Sequence, residues 1–315
     1  MSADSFDEFP YETAECKPSA DARRHYWAVA IGLQEVDGLE VSPYLRELAH
    51  SYEQGHCTLQ ETGALIRAYH ERAGASSLSE RCAGASEDDL ASAATTSDDT
   101  AEADLVSQRI AELLAAGSFT FAPSMLNYIH RALFQDLDEN IYRPGQFKTD
   151  RLVKQEDILN GDSVLYADPS IAQTSLDYLF REEGCSQYGA TLDANDIERL
   201  SKFIALLWQV HPFVEGNTRT VAVFSELYLS SLDFAVGNEP FQKHARYYRD
   251  ALVRANYRNN KAGIIPDRRP LEAFYENLLL GAKNLLDREA LLCSELFDNP
   301  QLLKNIDPSR ALVQK

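Results

Sequence analysis

The chain has 315 residues, of which 44% are hydrophobic, and it carries a formal net charge of −19. This length is enough to bury the core of one large domain and a smaller one. The negative charge argues against general nucleic-acid binding, because a phosphate backbone would be repelled and no basic run is visible.

Membrane and secretory signals are missing from the sequence. No stretch approaches the roughly 18 consecutive apolar residues that cross a bilayer, and residues 1–8 lack the basic and apolar regions of a signal peptide. We therefore expect a cytoplasmic protein without a membrane partner. The cysteines are widely spaced and odd in number, without a Cys-x-x-Cys pair, which favours free thiols over disulfides or a zinc site; they are Cys16, Cys57, Cys82, Cys185 and Cys293.

Residues 1–72 predict a small unit of three helices. The first covers 24–37 and is closed by Gly38, a residue suited to a helix end. Ser42 and Pro43 begin the second helix, with proline at its first position. Thr58 and Glu61 form a capping box that opens the third helix, over 59–69.

The next segment, 73–103, is small, polar and acidic, with almost no large apolar residue. Such a composition buries too little surface to order well alone, so we predict a flexible tether. A short alanine-rich helix within it stays open as an alternative.

Between Gly145 and Tyr166 the chain carries Asn160-Gly161, which is the strongest short signal for a β-hairpin. On the residues alone, this hairpin could be a surface excursion or a functional flap.

The most informative stretch is residues 211–220, His-Pro-Phe-Val-Glu-Gly-Asn-Thr-Arg-Thr. Apolar residues at helical spacing over 197–210 predict a helix that ends at the His-Pro step, and a second helix is predicted from Asn217 to Leu229. The stretch is then a turn before a helix N-terminus, where free N–H groups and the helix dipole favour an anion.

Each polar residue of this turn suits phosphate chemistry. His211 titrates near neutrality and can accept a proton, and Glu215 is a hard oxygen ligand for Mg²⁺. Gly216 lets the backbone approach a phosphate, Asn217 can donate to a phosphate oxygen and cap the following helix, and Arg219 offers a planar fork.

This motif resembles the active-site motif of Fic-domain proteins, His-Pro-Phe-x-(Asp/Glu)-Gly-Asn-(often Gly)-Arg-x-x-Arg. The resemblance implies an all-α, mainly helical fold with a β-hairpin flap, here a Fic domain over 104–290 and a C-terminal tail over 291–315. It also implies an enzyme that uses ATP and Mg²⁺ to move AMP onto a Ser, Thr or Tyr hydroxyl of a target protein, with self-modification as an option.

The resemblance also assigns roles to residues. His211 would be the base, Glu215 the Mg²⁺ ligand, Asn217 an α-phosphate contact, Arg219 a β-phosphate contact and Phe213 a core anchor. The hairpin would hold the target segment by strand addition, with apolar contacts from Leu152, Val153, Ile158, Val164 and Leu165. The amphipathic helix over 244–257 would line the nucleoside pocket with Tyr247, Tyr248, Leu252 and Asn256.

Two positions depart from the family pattern. Thr218 stands where glycine is frequent and would add bulk beside the phosphate path. Ala222 replaces the final arginine, which in the family holds the γ-phosphate and pairs with an inhibitory glutamate.

The three-helix unit resembles the small antitoxin that represses Fic toxins. Asp37-Gly38 falls at the place of its inhibitory Glu-Gly, Leu33 stands where the family has Ser or Thr, and Glu35 is a nearby carboxylate without a following glycine. Since Asp37 and Ala222 both depart, we expect the unit to pack on the Fic core without the usual inhibitory salt bridge. Alternatively, it serves only to complete the hydrophobic core.

Other functions stay open at this point. A catalytically degenerate Fic protein would only bind a nucleotide or a partner, and the same scaffold could transfer another nucleoside phosphate, a phosphate or phosphocholine, or remove AMP. The sequence does not determine the target, the nucleotide or whether the chain forms a homo-oligomer.

Overall fold

The computed structural model describes residues 18–81, 87–189, 191–304 and 312–314. Within these ranges the structure is mostly helical, which confirms the predicted all-α fold class. The helices are α1 Ala20–Gly32, α2 Pro43–Glu53, α3 Leu59–Arg81, α4 Glu87–Ala116, α5 Ser124–Phe134, α6 Ala172–Gly184, α7 Ala194–Val210, α8 Asn217–Ser231, α9 Glu239–Asn256, α10 Arg269–Leu280 and α11 Ser294–Asp298. A parallel two-stranded sheet pairs β1 Leu152–Lys154 with β2 Leu312–Gln314.

Local capping explains where the N-terminal helices begin and end. Ser42 Oγ accepts from the backbone N–H of Leu45, with Pro43 at the first position of α2. Thr58 and Glu61 form the predicted reciprocal cap of α3. After α1, a 3₁₀ turn over Leu33–Asp37 ends at Gly38, whose φ of 73° suits glycine.

The predicted flexible tether over 73–103 is wrong for the residues that the structure describes. Helix α3 continues to Arg81, and α4 begins at Glu87 and runs on to Ala116. Alanine-rich sequence has a high helix propensity, and the C-terminal half of α4 buries Val106 and Ile110 in the core. Tertiary packing of that half stabilises a helix that the polar half alone would not form.

The N-terminal helices share one hydrophobic core with the rest of the chain. Helix α1 packs against α4 and α9, and Trp27, Val29 and Leu33 are almost fully buried. A Cβ on Gly32 would lie 2.3 Å from the carbonyl oxygen of Phe241, so the α1–α9 contact requires glycine at this position. Among the described residues, those from 18 to 72 therefore do not have a hydrophobic core separate from the rest of the chain.

Helix α8 lies at the centre of the molecule. All of its residues from Asn217 to Leu229 are buried, and it packs against α4, α5 and α7. A helix buried all round needs no amphipathic pattern, and the motif turn is consequently held by rigid neighbours.

The predicted β-hairpin forms only in part. Asn160 and Gly161 do make the turn, with φ of 53° and 82°, but a 3₁₀ turn precedes them and residues 162–166 do not form the second strand of a hairpin. The edge of β1 pairs instead with β2, in the register Leu152 to Leu312. We call residues 152–166 the flap.

The C-terminal segment also packs along the flap. The Cys293 N–H donates to the carbonyl of Ile158, and the Asn160 amide donates to the carbonyl of Leu296. Lys304 Nζ donates to the carbonyl of Ser163. The predicted tail is thus, up to residue 304, an ordered segment that lies across the flap.

None of the helices in the described ranges is both long and apolar enough to span a bilayer.

Candidate active site

The motif turn has the predicted helix–turn–helix geometry. Helix α7 ends at Val210, and His211 adopts the left-handed conformation with φ 49° and ψ 59°. Helix α8 begins at Asn217 after Gly216, and no side chain caps its first turn. The N–H groups of that turn are therefore not taken up by a capping side chain, which is the arrangement that an anion at a helix N-terminus requires.

Gly216 is required by its backbone and by a neighbouring ring. Its φ is 75°, and an added Cβ would lie 2.3 Å from Cε2 of Phe134. Both features exclude a larger residue, so the structure explains this glycine by packing in addition to the predicted access for phosphate.

His130 braces the motif turn, and the sequence analysis missed it. The Gly145 N–H donates to His130 Nδ1, so Nε2 carries the proton and donates to the carbonyl of Glu215. Burial lowers the pKa of His130 to about 4, which keeps this tautomer neutral. The ring also stacks on Phe213, a core anchor as expected. No local signal marks His130, because its partners lie 15 and 85 positions away.

The Asn217 side chain braces the same turn. Its Oδ1 accepts from the N–H of Phe213 and its Nδ2 donates to the carbonyl of Phe213, so it does not cap α8 as predicted. Thr218 Oγ1 accepts the indole N–H of Trp208. The Thr218 hydroxyl is thus directed to Trp208, and the crowding of the phosphate path stays a prediction.

His211 is buried and uncharged. Its side chain stacks on Tyr166 at 3.9 Å between ring centroids, and the residue is 4% exposed. Burial, followed by the charges of Lys148 and Lys154, lowers the pKa of His211 well below 6.5. The imidazole is therefore in its basic form at neutral pH.

Lys148 lies beside this histidine. Its Nζ donates to the carbonyl of Val210, and burial lowers the pKa of Lys148 to about 8.

Glu215 is the carboxylate of the motif turn, and protein groups engage it in this conformation. Its Oε1 accepts from Lys154 Nζ at 3.0 Å and from the N–H of Gly216. Among the described residues no group of three or more His, Cys, Asp or Glu side chains could hold a metal alone. A single carboxylate still fits Mg²⁺ on a nucleotide, since phosphate oxygens and water complete that coordination.

Arg219 is the most heavily engaged residue of the motif. It is 1% exposed, its Nε lies 2.9 Å from Asp37 Oδ2, and its Nη1 donates to Glu102 Oε1 at 2.9 Å. Nη1 and Nη2 also contact Gln34 Oε1 and the Tyr142 hydroxyl. Burial would lower the pKa of Arg219, but Asp37, Tyr142 and Glu102 outweigh burial and raise it.

This contact bears on the predicted role of the N-terminal unit, which stays a prediction. Asp37 does form an ion pair with a motif arginine, although with Arg219 and not with the absent arginine at Ala222. Burial would raise the pKa of Asp37, yet Arg219, Lys154, Arg249 and Arg246 together lower it. Glu35, the second regulatory candidate, is exposed to solvent.

The four predicted nucleoside contacts belong to the core. Tyr248 is fully buried with its hydroxyl on that of Tyr275, and the Tyr247 hydroxyl donates to the carbonyl of Pro270. Asn256 Nδ2 donates to the carbonyls of Ala205 and Leu252, and Leu252 is itself fully buried. These side chains hold α9 against α7 and α10 and are engaged by protein groups in this conformation, so the base contacts stay a prediction.

The five flap candidates differ in how far their side chains are exposed. Leu152, Ile158 and Val164 are buried, Val153 is half-buried, and Leu165 is 80% exposed. Leu165 and Val153 are therefore the apolar flap side chains that remain accessible to a target, whereas the other three support the flap from below.

The comparison with protein families agrees with the geometry. The model of the Fic/DOC family matches residues 120–229, from just before α5 into the last turn of α8. The match supports a Fic domain in this segment of the chain. The searches of curated proteins and of solved structures found no significant match.

Proposed function

We propose that the chain is a protein adenylyltransferase that moves AMP from ATP to a Ser, Thr or Tyr hydroxyl of a target protein. The observation that carries the proposal is a buried, neutral His211 on the same turn as Glu215 and the N-terminus of α8, which no side chain caps. A neutral imidazole can accept a proton, and the helix end can stabilise negative charge.

The proposed reaction is a single displacement at the α-phosphorus. The target hydroxyl gives its proton to His211, its oxygen forms a bond to the α-phosphorus, and the bond to the β-phosphate breaks to release pyrophosphate. Glu215 would hold Mg²⁺, which neutralises phosphate charge when bound. The N–H groups at the start of α8 would stabilise the transferring group.

The proposed activity requires a change at Asp37. Arg219 can contact a β-phosphate only after its guanidinium is released from Asp37, because the side chain is otherwise surrounded by protein groups. The described conformation is therefore the resting form of the proposed enzyme. Asp37→Asn removes the charge that opposes a phosphate and should increase transfer.

Labelled ATP tests the proposal directly. A cell lysate is incubated with Mg²⁺ and ATP labelled at the α-phosphate, together with wild-type protein, Asp37→Asn, or Asp37→Asn with His211→Ala. We expect label on protein with Asp37→Asn and none with the double variant, which should still bind ATP. The matched control for His211→Ala is His50→Ala, at an exposed histidine, made in the same Asp37→Asn background. This control variant should keep full labelling.

A nucleotide-binding protein without transferase activity is the second candidate. The Asn217 amide is bound to Phe213 on both polar atoms, which favours a structural role for this motif residue. In that case Asp37→Asn binds ATP and labels nothing. Label from γ-labelled ATP would instead indicate phosphate transfer, and equal α-labelling by the double variant would contradict His211 as the base.

A further inference from the structure

Four cations meet around Asp37, and three of them lie outside the Fic motif. They come from α8, the flap and α9, and we call them the cation cluster: Arg219, Lys154, Arg246 and Arg249. Lys154 Nζ binds Glu215, and Arg249 Nη1 lies 3.5 Å from the carbonyl oxygen of Val36. Arg246 Nη1 lies 3.3 Å from the point that a Cβ on Gly38 would occupy.

The turn over residues 36–38 presents oxygen atoms to this cluster. The carbonyl of Val36 is directed at Arg249 and the carboxylate of Asp37 at Arg219. Arg219 Nε lies within ion-pair distance of Asp37 Oδ2, but the two groups are not aligned for a hydrogen bond. An anion with several well-placed oxygens, such as a polyphosphate, would satisfy the same donors better than this turn does.

The guanidinium of Arg249 is pre-oriented for such an anion. Its Nη2 donates to Glu156 Oε2 at 2.7 Å, and Glu156 is 2% exposed and also accepts from the Tyr166 hydroxyl. One side of the guanidinium is thus anchored to the flap, while Nη1 faces the 36–38 turn. A pre-oriented fork loses little entropy when it binds a phosphate.

The motif helix alone is short of positive charge for a triphosphate. Position 222 is a fully buried alanine, so α8 supplies Arg219 as the single arginine of the motif. Burial raises the pKa of Asp37 while the four cations lower it more, which indicates that a negative charge is favoured at this point.

We propose that Arg249 and Lys154, with Arg246 at the edge, bind the β- and γ-phosphates of a nucleoside triphosphate in place of the arginine missing at Ala222. This subsite rests on the proposed function, since it belongs to the same nucleotide. Withdrawal of the 36–38 turn exposes the cluster, and the outer phosphates replace the oxygens of Val36 and Asp37. Discrimination of ATP from AMP then depends on α9 and the flap.

Binding measurements with ATP, AMP and inorganic triphosphate test the subsite without any target protein. All variants are made in the Asp37→Asn background and measured by titration calorimetry with Mg²⁺. We expect Arg249→Gln to weaken ATP and triphosphate about tenfold, the effect of one charge-assisted contact, and to leave AMP within about twofold. Lys243→Gln, at an exposed lysine of the same helix, is the matched control and should change neither.

A second variant separates binding from folding. Arg249→Lys keeps a cation for Glu156 but loses the fork, so it should fold and still weaken ATP more than AMP. Three results would overturn the subsite. They are an equal loss of affinity for ATP and AMP, an unchanged ATP affinity in both Arg249 variants, and no ATP binding in the Asp37→Asn background. If ATP affinity behaves as expected and no protein is labelled, the transferase proposal fails while the subsite stands.

Discussion

The chemistry of the candidate site depends on how single residues are buried. His211 is enclosed by Tyr166 and Trp208, and this burial keeps the imidazole neutral where an exposed histidine would begin to take up a proton. His130 and Asn217 act on the backbone of the turn and not on a ligand. The candidate base and the residues that brace its turn therefore come from both near and distant parts of the chain.

The lowered pKa of His211 predicts a flat pH profile. A base works only when unprotonated, and a folded pKa well below 6.5 leaves His211 unprotonated from pH 8 down to pH 6.5. We expect the single-turnover rate of AMP transfer by Asp37→Asn to change less than about twofold over this interval. A loss of activity centred near pH 7, with no loss of folded protein, would contradict this assignment.

The brace formed by His130 predicts a large effect on stability. His130→Leu leaves the Gly145 N–H and the Glu215 carbonyl without their partner, at about 1 to 3 kcal/mol for each buried group. The free energy of unfolding, measured by urea denaturation, should fall accordingly. His50→Leu, at a side chain that is 71% exposed, should change it by at most about 0.5 kcal/mol. Similar values for both variants would argue against the brace.

At the scale of elements, the flap is bound by the chain's own C-terminal segment. Strand β2 lies on the edge of β1, where a target strand would add in the proposed enzyme. A tethered strand competes at an effective concentration of about millimolar, so a free target must displace it.

Removal of residues 305–315 should therefore favour target binding. We expect the KM for a protein target to fall about tenfold in the Asp37→Asn background, with kcat nearly unchanged, because only docking is altered. Steady-state labelling kinetics measure this effect, and Val313→Thr, which retains a strand-forming residue, is the control. An unchanged KM in the truncated protein would show that targets do not use this edge.

At the scale of the whole molecule, α1 has two tasks. It completes the core against α4 and α9, and it leads into the turn that places Asp37 on Arg219. A helix that buries Trp27, Val29 and Ala30 cannot leave without exposing the apolar faces of its neighbours.

The shared core predicts that the chain unfolds as one unit. Circular dichroism and tryptophan fluorescence should report coincident thermal transitions, and deletion of residues 1–72 should yield insoluble protein. Asp37→Asn leaves the core intact and is therefore the cleaner test of inhibition. A soluble, folded and active product of the deletion would show that the N-terminal helices are dispensable for the fold.

Signals between near neighbours were read correctly from the sequence. The start of α2, the capping box of α3, the left-handed Gly38 and the end of α7 at His211 all depend on contacts within a few residues. The Asn160-Gly161 turn also formed, but its second strand did not, because pairing depends on a partner elsewhere in the chain. Periodicity did not predict which residues of α9 face the core. Tyr248 and Asn256 were therefore expected to contact a nucleoside, whereas both side chains are buried among protein groups.

The sequence by itself determined the motif turn, since the spacing of His211, Glu215, Gly216 and Arg219 is local and recognisable. Only the tertiary structure decided what surrounds that turn. Asp37 and Glu102 reach Arg219 from distant parts of the chain, and Arg249 and Lys154 join them from α9 and the flap. Charges brought together in this way depend on how helices pack, and no pattern along the chain records that.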